Sequence, residues 1–321
     1  MNIKLNKTLV VSYFIATLFF YVVPIQAYVL QGRHVLDLMI EKVGVSKSLF
    51  VSEKIVIYRL EAAISDRNMG QVDSIQIPAN SEAGITSETQ SLEIREEVSE
   101  IETLEFEGTL RYVFSKAFRS DAKSLNSERI QIAVGGRTLT IVDGHIEPAA
   151  ANRFDLYKDI LLYRSRETLA ERLVQLGVDV SISSLGRFED QIAFVLGANY
   201  PDDSVNQLWV DKDTLLPLRL ILTGDDDTAG SGVVEVRYLL WWKIGQTQYP
   251  SRIEFYQDDR LVRVRQAKSF EENAIFSEDL FDIEQQRLRY PMASTPATVP
   301  ESPEEPSEIQ KAIEEFKRIF E

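Results

Sequence analysis

Apolar side chains recur along the chain at two spacings, one typical of helices and the other of strands. Residues 34–43 place them at helical spacing, and Gly44 follows where a helix would end. Residues 49–60 alternate and are rich in Val and Ile, as a strand would be. The run 106–119 is a long second strand candidate. The first part of the chain is therefore predicted to contain one helix followed by strands.

The middle of the chain combines a hairpin with a helical stretch. The arms of the hairpin, within residues 129–142, alternate on either side of a Gly-Gly pair, a favoured two-residue turn. Residues 154–176 carry apolar side chains at helical spacing on two successive faces, with a break near Ser165. Gly177 is the expected end. We predict two helices here, or one bent helix.

The rest of the chain has the pattern of antiparallel strands joined by short turns. The candidate strands are residues 180–184, 191–197, 207–211, 216–223, 232–243, 248–257, 260–270 and 280–283. Consecutive strands with one helical insertion predict an α+β fold and not a doubly wound parallel sheet.

One face of these late strands is continuously apolar. The even positions from Val234 to Trp242 are apolar without a break, whereas the odd positions include Glu235 and Arg237. Similar one-sided rows occur on two earlier strands. The residues predicted to contact an apolar ligand are Phe194, Leu196, Leu218, Leu220, Val236, Tyr238, Leu240 and Trp242.

Two uses of this apolar face remain open at the level of sequence. Either the helices cover the face fully and form a dry core, or a curved sheet is covered incompletely and leaves a cavity for an acyl chain. Each buried methylene stabilises a complex by about 0.8 kcal/mol, which suffices for binding without polar recognition. A shift of one residue in strand register would reverse which positions face inward.

The amino terminus has the layout of a secretory signal. Lys4 and Lys7 precede an apolar run from Thr8 to Val23, and Ala27 is a small residue at which a signal peptidase can cleave. The run is shorter than the roughly 20 residues that a spanning helix needs. We expect residues 1–27 to be a signal peptide and the mature chain to be periplasmic. An uncleaved membrane anchor is the alternative.

Composition excludes several classes of protein and partner. The chain has no cysteine, so it forms no disulfide and carries no lipid at a signal cleavage site. Its net charge is −15, and loss of Lys4 and Lys7 with the signal makes it −17. Phosphate backbones repel such a chain, so we exclude nucleic acid as a partner. We expect membrane contact to be transient.

Three segments differ in composition from the strand-rich domain, which we place at residues 28–290. Residues 66–102 are rich in acidic and small polar side chains and lack aromatics, which predicts a solvated acidic insertion. Residues 291–306 are rich in Pro, Ser, Thr and Glu and predict a linker. Residues 307–321 carry an apolar stripe and predict a C-terminal amphipathic helix.

Residues suited to catalysis are sparse. The two histidines, His34 and His145, are far apart in sequence, and without cysteine a zinc site would need mainly carboxylates. The chain lacks a phosphate-binding loop, a dinucleotide fingerprint and a G-x-S-x-G elbow. The Asp-rich loop at residues 224–230 lacks the ligand spacing of an EF-hand. We predict a non-enzymatic protein without cofactor or metal; a hydrolase using two carboxylates is the least favoured alternative.

The run QLWVDKDTLLPLRLIL, residues 207–222, resembles the paired strands of the LolA/LolB lipoprotein-localisation superfamily. In that family a Trp-containing strand ends at an Asp turn, and Leu-Pro-x-Arg begins the next strand. The matching residues are Trp209, Asp211, Leu216, Pro217 and Arg219. Similar features follow in residues 234–255, and others precede in residues 108–119. The resemblance covers roughly residues 33–283.

The resemblance implies a strongly curved antiparallel half-barrel of about eleven strands, with helices covering a hydrophobic cavity. It also implies a periplasmic carrier that binds the acyl chains of lipoproteins or lipids for transfer towards the outer membrane, with partner proteins at the inner and outer membranes. A sensing or scaffolding module of the same fold, acting through protein–protein contacts, is the alternative. The acidic insertion and the C-terminal segment have no counterpart in the compact carriers.

Overall fold

The computed structural model describes residues 29–58, 103–148, 152–224 and 232–293. The predicted signal peptide, the acidic insertion, most of the Asp-rich loop, most of the linker and the predicted C-terminal helix lie outside the described residues. No helix within the described ranges is both long enough and apolar enough to cross a membrane.

Strands dominate the described part of the chain. In chain order the elements are α1 (Gly32–Val43), β1 (Ser48–Tyr58), β2 (Thr103–Val113), β3 (Ala117–Lys123), β4 (Glu128–Val134), β5 (Arg137–Val142), β6 (His145–Glu147), a 3-10 turn (Arg153–Leu156), α2 (Tyr157–Leu162), α3 (Arg166–Gln175), β7 (Ser183–Phe188), β8 (Gln191–Leu196), β9 (Gln207–Asp211), β10 (Pro217–Thr223), β11 (Val233–Ile244), β12 (Thr247–Gln257), β13 (Arg260–Glu272), a second 3-10 turn (Glu278–Phe281) and α4 (Ile283–Arg289).

All of these strands belong to one antiparallel sheet, which has 13 strands in the order β6-β5-β4-β3-β2-β1-β13-β12-β11-β10-β9-β8-β7. Its two outermost strands, β6 and β7, do not pair, so the sheet is an open half-barrel. The predicted α+β half-barrel is confirmed, with 13 strands in place of about eleven. The segment between β6 and β7 must pass from one edge of the sheet to the other, and it carries α2 and α3 across the concave inner face.

Three of the predicted strands differ in the structure. The predicted strand 180–184 begins too early, because residues 180 and 181 form a turn and β7 starts at Ser183. The other two are altered more strongly. The run 106–119 is not one strand, because the chain turns after β2 and Ser115 adopts a positive φ of 60°. The predicted short strand 280–283 is helical. The carboxylate of Asp282 accepts a hydrogen bond from the backbone N–H of Gln285 and so begins α4. Capping and turn residues override the apolar alternation at both places.

The predicted turns and helix ends are confirmed. The two glycines between β4 and β5, Gly135 and Gly136, have φ values of 56° and 79°, as the turn requires. The break near Ser165 is the start of α3, where the Ser165 side chain accepts a hydrogen bond from the backbone N–H of Thr168. Gly177 follows α3 with a φ of 81°.

The main hydrophobic cluster lies between the inner face of the sheet and helices α1–α3. It joins Leu36 and Met39 of α1 and Leu169 of α3 to side chains from most of the strands. A smaller cluster around Trp209 lies on the outer face of β8–β10. Helices α1–α3 thus bury the apolar side chains that form the main cluster.

Candidate functional site

Five of the eight predicted ligand-contacting residues lie together on the inner face. They are Phe194, Leu196, Leu220, Val236 and Tyr238, and each is buried in the main cluster. Strand register explains their grouping, because Val236 pairs with Leu220 on one side and with Phe255 on the other. Paired residues project to the same face of a sheet.

The other three predicted residues do not lie in the main cluster. A register shift between Pro217 and Arg219 turns Leu218 to the outer face, where it packs in the cluster of Trp209. Leu240 has a positive φ of 52°, which interrupts the alternation of β11. Leu240 is 63% exposed. Trp242 is 51% exposed, although it stays in register opposite the buried Tyr249 and its ring meets the Phe270 ring edge-on. The ligand-binding role of all eight residues remains a prediction.

A short helical segment, Arg153–Leu162, lies directly over this inner face; we call it the cover. Its apolar side chains pack downward, and the Tyr157 ring meets the Phe255 ring edge-on with centroids 5.3 Å apart. Two hydrogen bonds tether the cover, one to β11 and one to the turn between β2 and β3. The hydroxyl of Tyr238 donates to the carbonyl of Tyr157 at 2.9 Å, and the backbone N–H of Ser115 donates to the carbonyl of Leu162 at 2.8 Å.

Charged side chains are buried beneath the cover, a feature that the sequence pattern did not predict. Seven ionisable residues, each at most 5% exposed, form this buried ionic cluster: Glu53, Arg129, Asp155, Lys158, Asp159, Arg263 and Arg265. Arg129 pairs with Asp155 at 2.5 Å, and this bond links the cover to β4. Arg265 forms a two-pronged pair with Glu53, and its guanidinium also donates to the Ser120 hydroxyl at 3.2 Å.

The charged groups in the ionic cluster shift one another's pKa values. Burial raises the pKa of the Asp155 carboxyl, but the Arg129 and Lys158 cations outweigh burial, so the net shift is downward. Burial lowers the pKa of the Arg263 guanidinium to about 9, against the opposing pull of Asp155. For Arg265, burial again favours the neutral form, but the Glu53 carboxylate prevails and the pKa lies above its ordinary value.

Three tyrosines surround the ionic cluster. Burial is the main cause of a raised pKa for Tyr112, Tyr157 and Tyr249, so all three hydroxyls stay neutral. The hydroxyls of Tyr112 and Tyr249 lie 3.1 Å apart and share a hydrogen bond. The Tyr157 hydroxyl is buried and has no hydrogen-bond partner among the described residues. The ionic cluster is therefore bordered by neutral polar groups.

One signal in the sequence points to this cluster. Glu53 occupies an inward position of β1, between Val51 and Ile55, both of which are buried. A carboxylate at an inward-facing position of an otherwise apolar strand needs a buried cation or hydrogen-bond donor as its partner. The burial of Arg263 and Arg265 could not be predicted in the same way. A register shift between β12 and β13 leaves four consecutive residues of β13, 262–265, buried, so no alternation of buried and exposed positions marks the two arginines.

Two cavities lined by described residues lie away from the eight predicted residues. A groove of about 460 Å³ runs between α1 and α3 and is lined by Arg33, Arg166, Glu167, Ala170, Glu171, Val174, Gln175 and Val180. A cleft of about 20 Å³ lies beside the cover, near Lys158 and Arg172. Under the cover, Phe255 and Tyr238 are buried against its side chains.

The histidines lie apart from the inner face. His34 is exposed on α1, and His145 is exposed at the start of β6, where its Nδ1 lies 3.0 Å from the carbonyl oxygen of Asp143. Within the described ranges, no group of three or more His, Cys, Asp or Glu side chains is arranged to hold a metal ion.

No family model matches the chain, and no curated protein matches it. Among solved structures, a LolA superfamily protein from Nitrosomonas europaea is 9% identical, with a TM-score of 0.46 over 79% of this chain and 99% of that one. A domain described as an outer membrane lipoprotein-sorting protein, from Vibrio parahaemolyticus, is 6% identical, with a TM-score of 0.44 over 80% and 98%. A DUF1329 family protein from Desulfovibrio piger is 12% identical, with the same TM-score and coverage.

Each TM-score lies below 0.5. The function proposed below therefore rests on the residues of this chain. The chain is similar to these three solved structures at identities of 6–12%.

Proposed function

We propose that the protein is a non-enzymatic periplasmic carrier that binds acyl chains of lipids or lipoproteins between the apolar inner face and the cover, for transfer towards the outer membrane. The observation that carries this proposal is the pairing of a broad apolar face with a short helical cover that packs on its middle strands. Tyr238 and Phe255 contact the cover directly, and Phe194, Leu220 and Val236 continue the apolar surface beside it, under α1 and α3.

The cover occupies the place that an acyl chain would take. Phe154, Tyr157 and Ile160 bury their side chains in the main cluster, so the face is closed by residues of similar hydrophobicity to a lipid tail. Displacement of these three side chains exchanges one apolar contact for another. Such an exchange has a small net free energy, which suits reversible loading and release.

The tethers of the cover are few and polar. Besides the ion pairs of Asp155 with Arg129 and of Asp159 with Arg172, they are the Tyr238 and Ser115 bonds and one from the Arg153 guanidinium to the carbonyl of Gly232, at 2.6 Å. Each neutral hydrogen bond contributes roughly 1 kcal/mol net. A tail of ten methylenes contributes roughly 8 kcal/mol before entropic costs, which exceeds the loss of several such bonds.

The first experiment purifies the protein from a lipid-rich host, extracts it and identifies bound lipid by mass spectrometry. A fluorescent fatty acid then measures affinity. We expect bound acyl species and saturable fatty-acid binding. Recovery of no lipid, together with no fatty-acid binding, would refute carriage.

A second experiment tests the role of the cover with a matched pair of variants. Tyr238→Phe removes the hydroxyl that holds the cover and keeps the ring on the inner face, so we expect fatty-acid affinity to rise about fivefold. Tyr256→Phe removes a hydroxyl that donates to Glu254 at 2.8 Å, away from the cover, and should leave affinity unchanged. Equal affinities for the two variants would contradict a movable cover.

The alternative function, sensing or scaffolding through protein contacts, would use the acidic insertion and the C-terminal segment, which lie outside the described residues. Deletion of residues 301–321 separates the two functions. Loss of a protein partner with intact lipid binding favours scaffolding, whereas loss of lipid binding favours a role for the segment in carriage.

A further inference from the structure

The two edge strands of the sheet, β6 and β7, differ in whether another segment of the chain pairs with their outer side. At one edge, β6 is covered, because the backbone N–H of Ile146 donates to the carbonyl of Pro291 and the N–H of Ala293 donates to the carbonyl of Ile146. At the other edge lies β7, and no described residue pairs with its outer side. An uncovered edge strand is a template for pairing with another strand.

The backbone groups available on β7 follow from its pairing with β8. The N–H of Gly197 donates to the carbonyl of Ile182, and the same register pairs Ser184 with Val195. Hydrogen-bonded and free positions alternate along an antiparallel pair. The N–H and C=O groups of Ser183, Leu185 and Arg187 therefore point away from the sheet, towards the free edge.

We propose that this edge joins two copies of the chain, with β7 of one copy pairing antiparallel to β7 of the second about a two-fold axis at Leu185. This inference is independent of the proposed carrier function. It adds an interaction surface to the fold and commits to a self-complementary partner, the commonest arrangement among homo-oligomers.

The side chains of β7 fit this symmetric pairing. Leu185, which is half-buried against the main cluster, meets its own copy at the axis. Arg187 lies opposite Ser183 of the second copy, so the two arginines do not face each other. On the outer face, Gly186 lies opposite Ser184 of the second copy, and two such small residues leave room for close approach.

Exposed apolar surface next to the edge supports the same conclusion. Ile192 pairs with Arg187 on the neighbouring strand and is 49% exposed. Both side chains project to the inner face beside Leu185, so a strand added at the edge would shelter Ile192. The strand is short, so the interface is small and the expected dissociation constant is in the micromolar range or weaker.

Because the chain has no cysteine, single introduced cysteines can map the register. In Leu185→Cys the two cysteines meet at the axis, with Cα atoms about 5.5 Å apart, a spacing that a disulfide spans. Mild oxidation should therefore give a covalent dimer. Arg187→Cys is the matched control: it faces the same edge but lies far from its own copy. A mixture of Arg187→Cys and Ser183→Cys should cross-link.

Sedimentation equilibrium of the unmodified protein, from about 1 µM to about 1 mM, gives the affinity. Leu185→Lys places like charges at the axis and should weaken association at least about tenfold, whereas Leu185→Met should change it little. A protein that remains monomeric at about 1 mM overturns the proposal. Equal cross-linking by Leu185→Cys and Arg187→Cys also overturns it, as does a protein that dimerises in any other register.

Discussion

Two regions of the inner face differ in the kind of side chain that they bury, one apolar and the other ionic. On β8, β10 and β11, neighbouring strands present apolar side chains such as Leu196, Leu220 and Val236 to helices α1 and α3. On β1, β4 and β13, the face also holds the buried ionic cluster, which the cover closes. The apolar region is stabilised by contact with any surface of matching shape, whereas the ionic region requires particular partners at particular positions.

This difference suggests how carriage and folding are divided between the regions. Apolar contacts can be exchanged for an acyl chain, because hydrophobic burial is non-directional. A buried ion pair cannot be exchanged in this way without a large desolvation cost. We infer that the ionic region fixes the position of the cover at one end and that the apolar region supplies the surface for the ligand.

The largest expected effect on stability comes from removing one partner of a buried ion pair in the ionic region. Arg265→Met leaves the Glu53 carboxylate buried and unpaired, so we expect the free energy of unfolding to fall by roughly 3–5 kcal/mol. The double variant Glu53→Leu with Arg265→Met removes both charges and should recover most of that loss. Urea unfolding measures both. A double variant no more stable than the single one would show that the pair does not act as a unit.

The next effect tests packing in the apolar region. Leu220 is fully buried, and Leu220→Ala should lower the free energy of unfolding by roughly 2–5 kcal/mol through lost burial and a new cavity. Leu240→Ala, at a predicted ligand-contacting position that is 63% exposed, is the control and should change it by less than about 0.5 kcal/mol. Similar losses for both variants would mean that Leu240 is buried in solution.

The two regions also differ in how well the sequence predicts them. Alternation on β10 and β11 correctly places Leu220, Val236 and Tyr238 inside. The same alternation fails at Leu218, where a bulge intervenes, and at Leu240, where the backbone enters the left-handed region. Local backbone irregularities are set by neighbouring strands, and a pattern read along one strand does not contain them.

The ionic region was missed for a different reason. Charged residues in a strand usually face solvent, and β13 contains several. Arg263 and Arg265 become interior residues because Asp155 and Glu53 reach them from segments far away in sequence. Long-range pairs of this kind are invisible to periodicity. The strand order was likewise unpredicted, since it depends on β1 pairing with β13.

Acid should weaken the ionic region selectively. The pKa of Asp155 is lowered in the folded state, because Arg129 and Lys158 outweigh burial. A carboxylate with a lowered pKa stabilises the fold above its unfolded pKa of about 3.9, and that contribution is lost as pH falls through the folded pKa. Below about pH 4, the free energy of unfolding should therefore fall less steeply with decreasing pH in Asp155→Asn than in the original protein. Asp213→Asn, at a surface turn, is the control, and equal slopes for the two would contradict the argument.

The smallest effect concerns two hydroxyls at the boundary of the regions. The Tyr157 hydroxyl has no hydrogen-bond partner among the described residues, whereas the Tyr238 hydroxyl holds the cover. Tyr157→Phe removes an unsatisfied buried group, so the free energy of unfolding should stay within about 0.5 kcal/mol of the original or rise. Tyr238→Phe should lower it by about 1 kcal/mol. If Tyr157→Phe proves the more damaging change in thermal and urea unfolding, its hydroxyl must bond a group outside the described residues, and the ionic region extends further than the seven residues that define it here.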